Sequence, residues 1–370
     1  MLAAIVFAFL WSFALPPVPA QQETFFKEIP PPLTDVSITV NPEALVNQID
    51  AVLVYFQQYK NQDPDAVNAG LFSQQGISLA DVEATMRFLK DTVTEDLKNK
   101  TESRLADPQF LKKHFRFFQW LPHPPPTPSD TSGAAHSPSR EMIKITKYAV
   151  FTIQGSLKKN AVFKYALYSL PNDEKGMSLQ EAEKHKDHLC RFRYTKQQVL
   201  AGAYDQGGAE PLAWVTRRGL EEALMEGTIC VELPEGEKRF FNVDRGNGIP
   251  FDPTIKNHRL QQRYWYFGQV RQPQGYGLDI GSQMPIFPGA AFAGDIDNLG
   301  LGKVMGVFYH DPGSGKPKMV LGVLSDTGGA FRPNLSQLDY YIGVLNSRKE
   351  FNRIVKTLPS FAKVYFIIKK

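Results

Sequence analysis

"SDTGGAFRPNLSQLDYY", residues Ser325–Tyr341, carries two aspartates thirteen positions apart, one before a Gly-Gly pair and one before two tyrosines. The apolar run MVLGVL before it reads as a strand that ends at Ser325-Asp326. Thr327-Gly328-Gly329 then lets the backbone turn tightly and brings amide hydrogens to the Asp326 carboxylate, which would hold that acid ionised and fix the loop. Asp339 sits between Leu338 and Tyr340-Tyr341. Partial burial there raises a carboxyl pKa and lets it donate a proton near neutral pH. An isolated Asp-Gly-Gly is usually no more than a turn, so the rest of the chain has to decide.

The chain has 370 residues, 42% hydrophobic and 22% charged, room enough for two or three domains around a substantial core. A net charge of +4 is too small to indicate nucleic acid, and no nucleic-acid partner is expected. Leu2 to Leu15 is almost unbroken apolar sequence without charge, followed by PPVPA with Val18 and Ala20 at small-residue positions. Residues 1–20 are therefore expected to be a signal peptide with Gln21 as the mature start, and the protein to be exported. No cysteine near that point suggests a lipid anchor. Cys190 and Cys230 can pair in an oxidising compartment or remain buried thiols; both readings stand, and neither has a catalytic histidine near it.

Residues 21–121 read as a helical region. Asn41-Pro42 opens a helix with Leu45, Ile49, Val52 and Phe56 on one face; Ser78 caps a second, with Asp81 at its third position. Asp107-Pro108 opens a third, expected to carry Leu111, Phe115 and Phe118. These stripes read as core, and the region as a separable unit that can bind a protein partner. LPHPPPTPSDTSGAAHSPS then reads as a linker, residues 122–139. From Met142 onward, short runs such as YAVFTI, GTICVEL, KRFFNV, RYWYFGQV, VMGVFY and AKVYFIIK alternate with Gly, Pro, Asn and Asp, the texture of a β-barrel or sandwich. Short helices are expected around Leu179–His188 and Thr195–Ala201.

Two chemical-looking motifs dissolve on inspection. DPGSGKPK, Asp311–Lys318, lacks phosphate-loop spacing and places Pro317 where a helix should open, so it reads as a polar hairpin turn. His185 and His188 stand on a charged, solvated stretch without a third metal ligand.

The chain resembles the MltA-type lytic transglycosylases with their C-terminal three-aspartate (3D) domain. Their D-x-G-G-A element appears as Asp326-Thr327-Gly328-Gly329-Ala330, and the later acidic element as Asp339-Tyr340-Tyr341-Ile342-Gly343. PGAAFAGDIDNLGLGKV is similar to the segment holding the first of the three aspartates, here Asp295. RYWYFGQVRQPQGYG resembles the family's aromatic strand and Gly-rich turn, and the ordered matches run from about Ile143 to Lys370. The chain departs from the pattern in a wider spacing of the two C-terminal acids, in Arg332-Pro333, and in a short Cys230–Tyr264 segment where the family has groove-walling helices.

The resemblance implies a mainly β fold: a double-psi β-barrel (3D) region at 251–370 and a second small β-rich region at 140–250, after the helical N-terminal part. It implies cleavage of the bond between N-acetylmuramic acid and N-acetylglucosamine in peptidoglycan, with Asp339 as the lone acid/base and no metal or organic cofactor. Asp326 would orient the site, Asp295 would be structural, and Thr327, Tyr340, Tyr341, Tyr264 and Trp265 would contact sugar. The setting would be the periplasm or outer membrane of a Gram-negative bacterium. A non-catalytic glycan-binding protein with a degenerate groove is the alternative that the short middle segment suggests, and a hydrolytic barrel protein is a third.

Overall fold

A computed structural model describes residues 24–126, 139–329 and 331–370. The expected signal peptide and most of the expected linker lie outside these residues. Strands β1 (Phe26–Ile29) and β2 (Ser37–Thr39) precede helices α1 (Pro42–Tyr59) and α2 (Leu79–Asn99), and α3 (Pro108–His114) runs directly into β3 (Phe115–Trp120). Next come β4 (Ile143–Ser156), β5 (Tyr165–Tyr168), α4 (Leu179–Lys184), α5 (Lys196–Leu200), β6 (Pro211–Val215), α6 (Arg217–Glu226), β7 (Thr228–Glu232), β8 (Lys238–Gly246) and β9 (Trp265–Val270). The chain closes with β10 (Ala291–Ala293), α7 (Ile296–Leu299), β11 (Val304–His310), β12 (Pro317–Asp326), β13 (Gln337–Leu345), α8 (Arg348–Val355) and β14 (Phe361–Lys369). Helix and strand take near-equal shares, 28% and 29%, so the fold is mixed and sheet-rich where a mainly β fold was expected.

Six strands close into a ring in the order β4, β14, β11, β12, β10, β13. β13 returns to β4 in parallel, and Phe361 and Ala362 of β14 pair antiparallel with Lys144 and Ile143 at the start of β4. β4 is long enough to serve twice: beyond the ring, Phe151–Gln154 pairs in parallel with β7, which leads through β8 to β9. A second apolar core forms there under α6, around Phe151, Leu167, Val215, Leu220, Ile229 and Phe241. Gly219 lets α6 press onto β4, because a β-carbon there would meet the Ile153 side chain at 2.8 Å. The segment between Cys230 and Tyr264 holds the β7–β8 hairpin and a loop with one short 3-10 turn.

The N-terminal helices start where their caps predict. Asn41 accepts from the Ala44 amide, and Ser78 and Asp81 cap each other's backbone in a capping box. They are not a separable appendage. Leu45, Ile49, Val52, Met86 and Leu89 share one core with Phe292, Val304, Leu321 and Phe366 of the barrel. The buried Gln48 side chain bonds the Pro285 carbonyl and the Phe287 amide, and the Ala66 carbonyl accepts from the Leu301 amide. Nor does the third helix reach Phe118. It stops at His114, because FRFFQW is β-prone sequence and pairs on one side with β1 and on the other with β14.

Asp311–Lys318 forms the expected turn between β11 and β12, where Asp311 Oδ1 accepts from the Gly313 and Ser314 amides. Among the described residues no group of His, Cys, Asp or Glu could hold a metal ion.

Candidate active site

Asp326 ends β12 and Asp339 lies in β13, the strands on either side of the short β10. Both register with the same residue, Ala293, in parallel and antiparallel pairings respectively. Two ladder spacings put their backbones about 10 Å apart. Both acids are half-buried.

Asp326 is held by specific donors. The Thr327 amide donates to its Oδ1 at 2.8 Å and the Tyr148 hydroxyl to its Oδ2 at 2.9 Å. The turn after β12 is anchored in turn by the Thr327 hydroxyl, which donates to the Gly294 carbonyl at 2.8 Å. Gly275, in the Gly-rich turn after β9, packs against this acid: a β-carbon there would meet Asp326 Cγ at 3.1 Å and Ile286 at 2.6 Å. Burial pushes the Asp326 pKa up to about 7 against the pull of these two donors, so the ionised state expected from its Gly-Gly turn does not follow.

Asp339 registers with Thr146 of β4, and its Oδ1 is buried with no hydrogen-bond partner among the described residues. Burial raises its pKa to about 7; the Thr146 hydroxyl opposes the shift, and the charges of Asp326 and Glu226 add to it. A carboxyl with one free oxygen and a raised pKa is what general acid chemistry requires. Burial lowers the Lys147 pKa to about 8, and its ammonium is tied to the Ile145 and Pro359 carbonyls.

Asp295 is fully buried and caps α7 through the Asn298 amide at 3.1 Å. Its Oδ2 accepts from the Asn298 side chain and from the Asn334 amide, at 2.7 and 2.8 Å, and so clips the loop between the other two aspartates onto α7.

The expected sugar contacts divide. Tyr264 is 0% exposed in the second core with its hydroxyl on the Ala166 carbonyl, which leaves neither ring face open to a sugar. Tyr341 is 1% exposed, its ring 5.1 Å from that of Tyr148. Tyr340, one residue on from Asp339 and so on the opposite face of β13, packs its ring 5.3 Å from Phe292. Trp265 is half-buried beneath Arg263 and over Gly246. Aromatic residues in strands mark cores more often than platforms, and only Trp265 and Tyr340 keep some exposure. Tyr148 was missed by sequence reading, because a strand tyrosine carries no local sign of a partner so far along the chain. A separate cleft of about 620 Å³, lined by Phe88, Arg104, Phe110 and His114 among others, includes none of these acids.

Two half-buried acids at a sheet junction, one of them with an unbonded Oδ1, lie on the fold of the MltA-type lytic transglycosylases. The similarity extends over nearly the whole chain. A membrane-bound lytic murein transglycosylase from Agrobacterium tumefaciens superposes with a TM-score of 0.59 at 15% identity, over 89% of this chain and 92% of that one. E. coli MltA with bound chitohexaose gives 0.58 at 14% identity, over 93% and 94%. MltA from Neisseria gonorrhoeae gives 0.54 at 14%, over 88% and 87%. No protein-family model and no curated protein sequence matches the chain.

Proposed function

We propose that this protein is an exported peptidoglycan lytic transglycosylase with Asp339 as its single acid/base. The observation that carries the reading is the buried Asp339 Oδ1, unpartnered on a carboxyl whose pKa is raised to about 7. The shared fold and the bound chitohexaose of the E. coli neighbour support a glycan strand as substrate. The ring of six strands is read as the double-psi barrel of a three-aspartate domain, with residues 140–250 forming the other wall of the groove.

Two-carboxylate glycosidases activate water or form a covalent intermediate with the second acid. Here one acid serves both steps. Protonated Asp339 donates to the oxygen that leaves N-acetylmuramic acid as the bond to N-acetylglucosamine breaks. The resulting carboxylate then takes the proton of the muramyl C6 hydroxyl, whose oxygen attacks C1 and closes a 1,6-anhydro ring. Asp326, steadied by Tyr148 and Thr327, orients the site, and Asp295 holds the loop between them. No cofactor enters these steps.

Purified protein and Asp339→Asn are incubated with purified peptidoglycan and the products read by mass spectrometry. Anhydromuropeptides from the first and none from the second are expected. Reducing-end products from the wild type would mean hydrolysis. Sedimentation of both proteins with sacculi and no product from either would leave a glycan-binding protein instead.

A further inference from the structure

We propose that one face of the second half of the molecule docks onto an anionic lipid surface. Two protrusions form it. The β4–β5 turn exposes Leu157 (44%) and Val162 (64%) among Lys158, Lys159 and Lys164. The loop between β8 and β9 exposes Phe251 (44%) and Leu260 (59%) among Lys256 and Arg259. Arg217 ties them together: its guanidinium lies 5.7 Å from the Tyr165 ring at the foot of the first protrusion and donates to the Arg259 carbonyl of the second at 3.5 Å.

The face is predominantly basic: the two loops carry one acid, Asp252, against Lys158, Lys159, Lys164, Lys256, Arg259 and Arg263. No Asp or Glu occurs from Gly155 to Asn172 or from Pro253 to Leu278. Of the acids beside it, Glu221 is neutralised by Lys196 and Arg217, while Asp252 and Glu232 bond the neutral Thr254 and Gln154 and keep their charge. Lys159 sits 5.1 Å from the Trp214 ring and Arg263 lies 5.6 Å from that of Phe251, so aromatic surface underlies the charge on both sides.

Large apolar side chains held out at loop tips within a basic field are the pattern of interfacial binding: the cations meet anionic headgroups and the tips enter the acyl boundary. Three of the four tips are aliphatic. Leu157, Val162 and Leu260 offer a sugar no stacking face, which favours lipid over an anionic glycan. None of the face's residues bonds Asp326, Tyr148 or Asp339.

The test is co-sedimentation of the full chain with vesicles of phosphatidylcholine alone, or of phosphatidylcholine and phosphatidylglycerol in equal parts, and separately with purified sacculi. Binding to the anionic vesicles that weakens with salt is expected. Lys158→Gln/Lys159→Gln/Arg259→Gln should lower it about a hundredfold, at three cations lost. Val162→Ser/Leu260→Ser should lower it about tenfold at unchanged charge. Equal binding by wild type and both variants would assign the affinity elsewhere in the chain and overturn the proposal. So would loss of sacculus binding in the charge variant with vesicle binding unaffected, which would make the face a glycan site.

Discussion

The Tyr148 hydroxyl donates to Asp326 at 2.9 Å across 178 positions of sequence, and among the described residues it is the one side-chain donor bonded to that acid. Tyr148→Phe removes one of the two donors that oppose burial, so the Asp326 pKa rises further. Anhydromuropeptide release should fall about tenfold, the cost of one hydrogen bond to a charged group, while the thermal melt shifts little. An unchanged rate would separate Asp326 from catalysis.

The raised Asp339 pKa of about 7 fixes the shape of the pH profile. In the proposed mechanism the acid form starts the reaction, so the rate should fall as pH rises through about 7. The same shift acts on stability. The folded state holds this proton more tightly than the unfolded chain, so the penalty is absent below about pH 4, grows toward pH 7, and is complete above it. Asp339→Asn should therefore stabilise the protein by up to about 4 kcal/mol at alkaline pH and by nothing near pH 4, in denaturant melts at each pH.

Asp295→Ala strips the cap of α7 and leaves the Asn298 and Asn334 amides without their acceptor. A loss of about 3 kcal/mol is expected in a urea melt, since buried donors are orphaned. Asp295→Asn keeps one acceptor oxygen and should recover part of it.

Gly275→Ala pushes a methyl group toward Ile286 and the Asp326 carboxylate. It should cost about 1–3 kcal/mol and reduce turnover more than glycan binding, read by comparing rates with sacculus sedimentation.

The cysteines, left open by sequence reading, are both free. Cys230 is buried, Cys190 partly exposed, and burial raises both thiol pKa values. A maleimide should label Cys190 slowly in the native protein and both thiols in denaturant. One unreactive pair under both conditions would mean a disulfide.

Local signals in the sequence proved reliable where local physics decides. Asn41, Ser78 and Asp107 cap the helices they open, because capping is satisfied within four residues. Most strands from β4 onward lie on the aromatic and β-branched runs that suggested them. FRFFQW misled because a helical apolar spacing and a strand are indistinguishable over so short a run, and only its distant partners β1 and β14 choose. The helix α6 went unread behind its interior glycine. The two acids were legible as motifs, yet their environment was not: Asp326 looked ionised from its own turn, and what raises its pKa is burial by residues far away in the chain. Tyr264, by contrast, looked available because nothing in RYWYF tells a core ring from a platform.

The ring has an implication for the order in which this protein completes its fold. Its last stave, β14, is the final strand of the chain, and it is paired on one side with β11 and on the other with both β3 and the start of β4. A ribosome shields the residues it has just joined, so the ring cannot shut until Phe361–Lys369 has left it. A nascent chain that stops short of Phe361 therefore carries both aspartates on a sheet still open between β11 and β4.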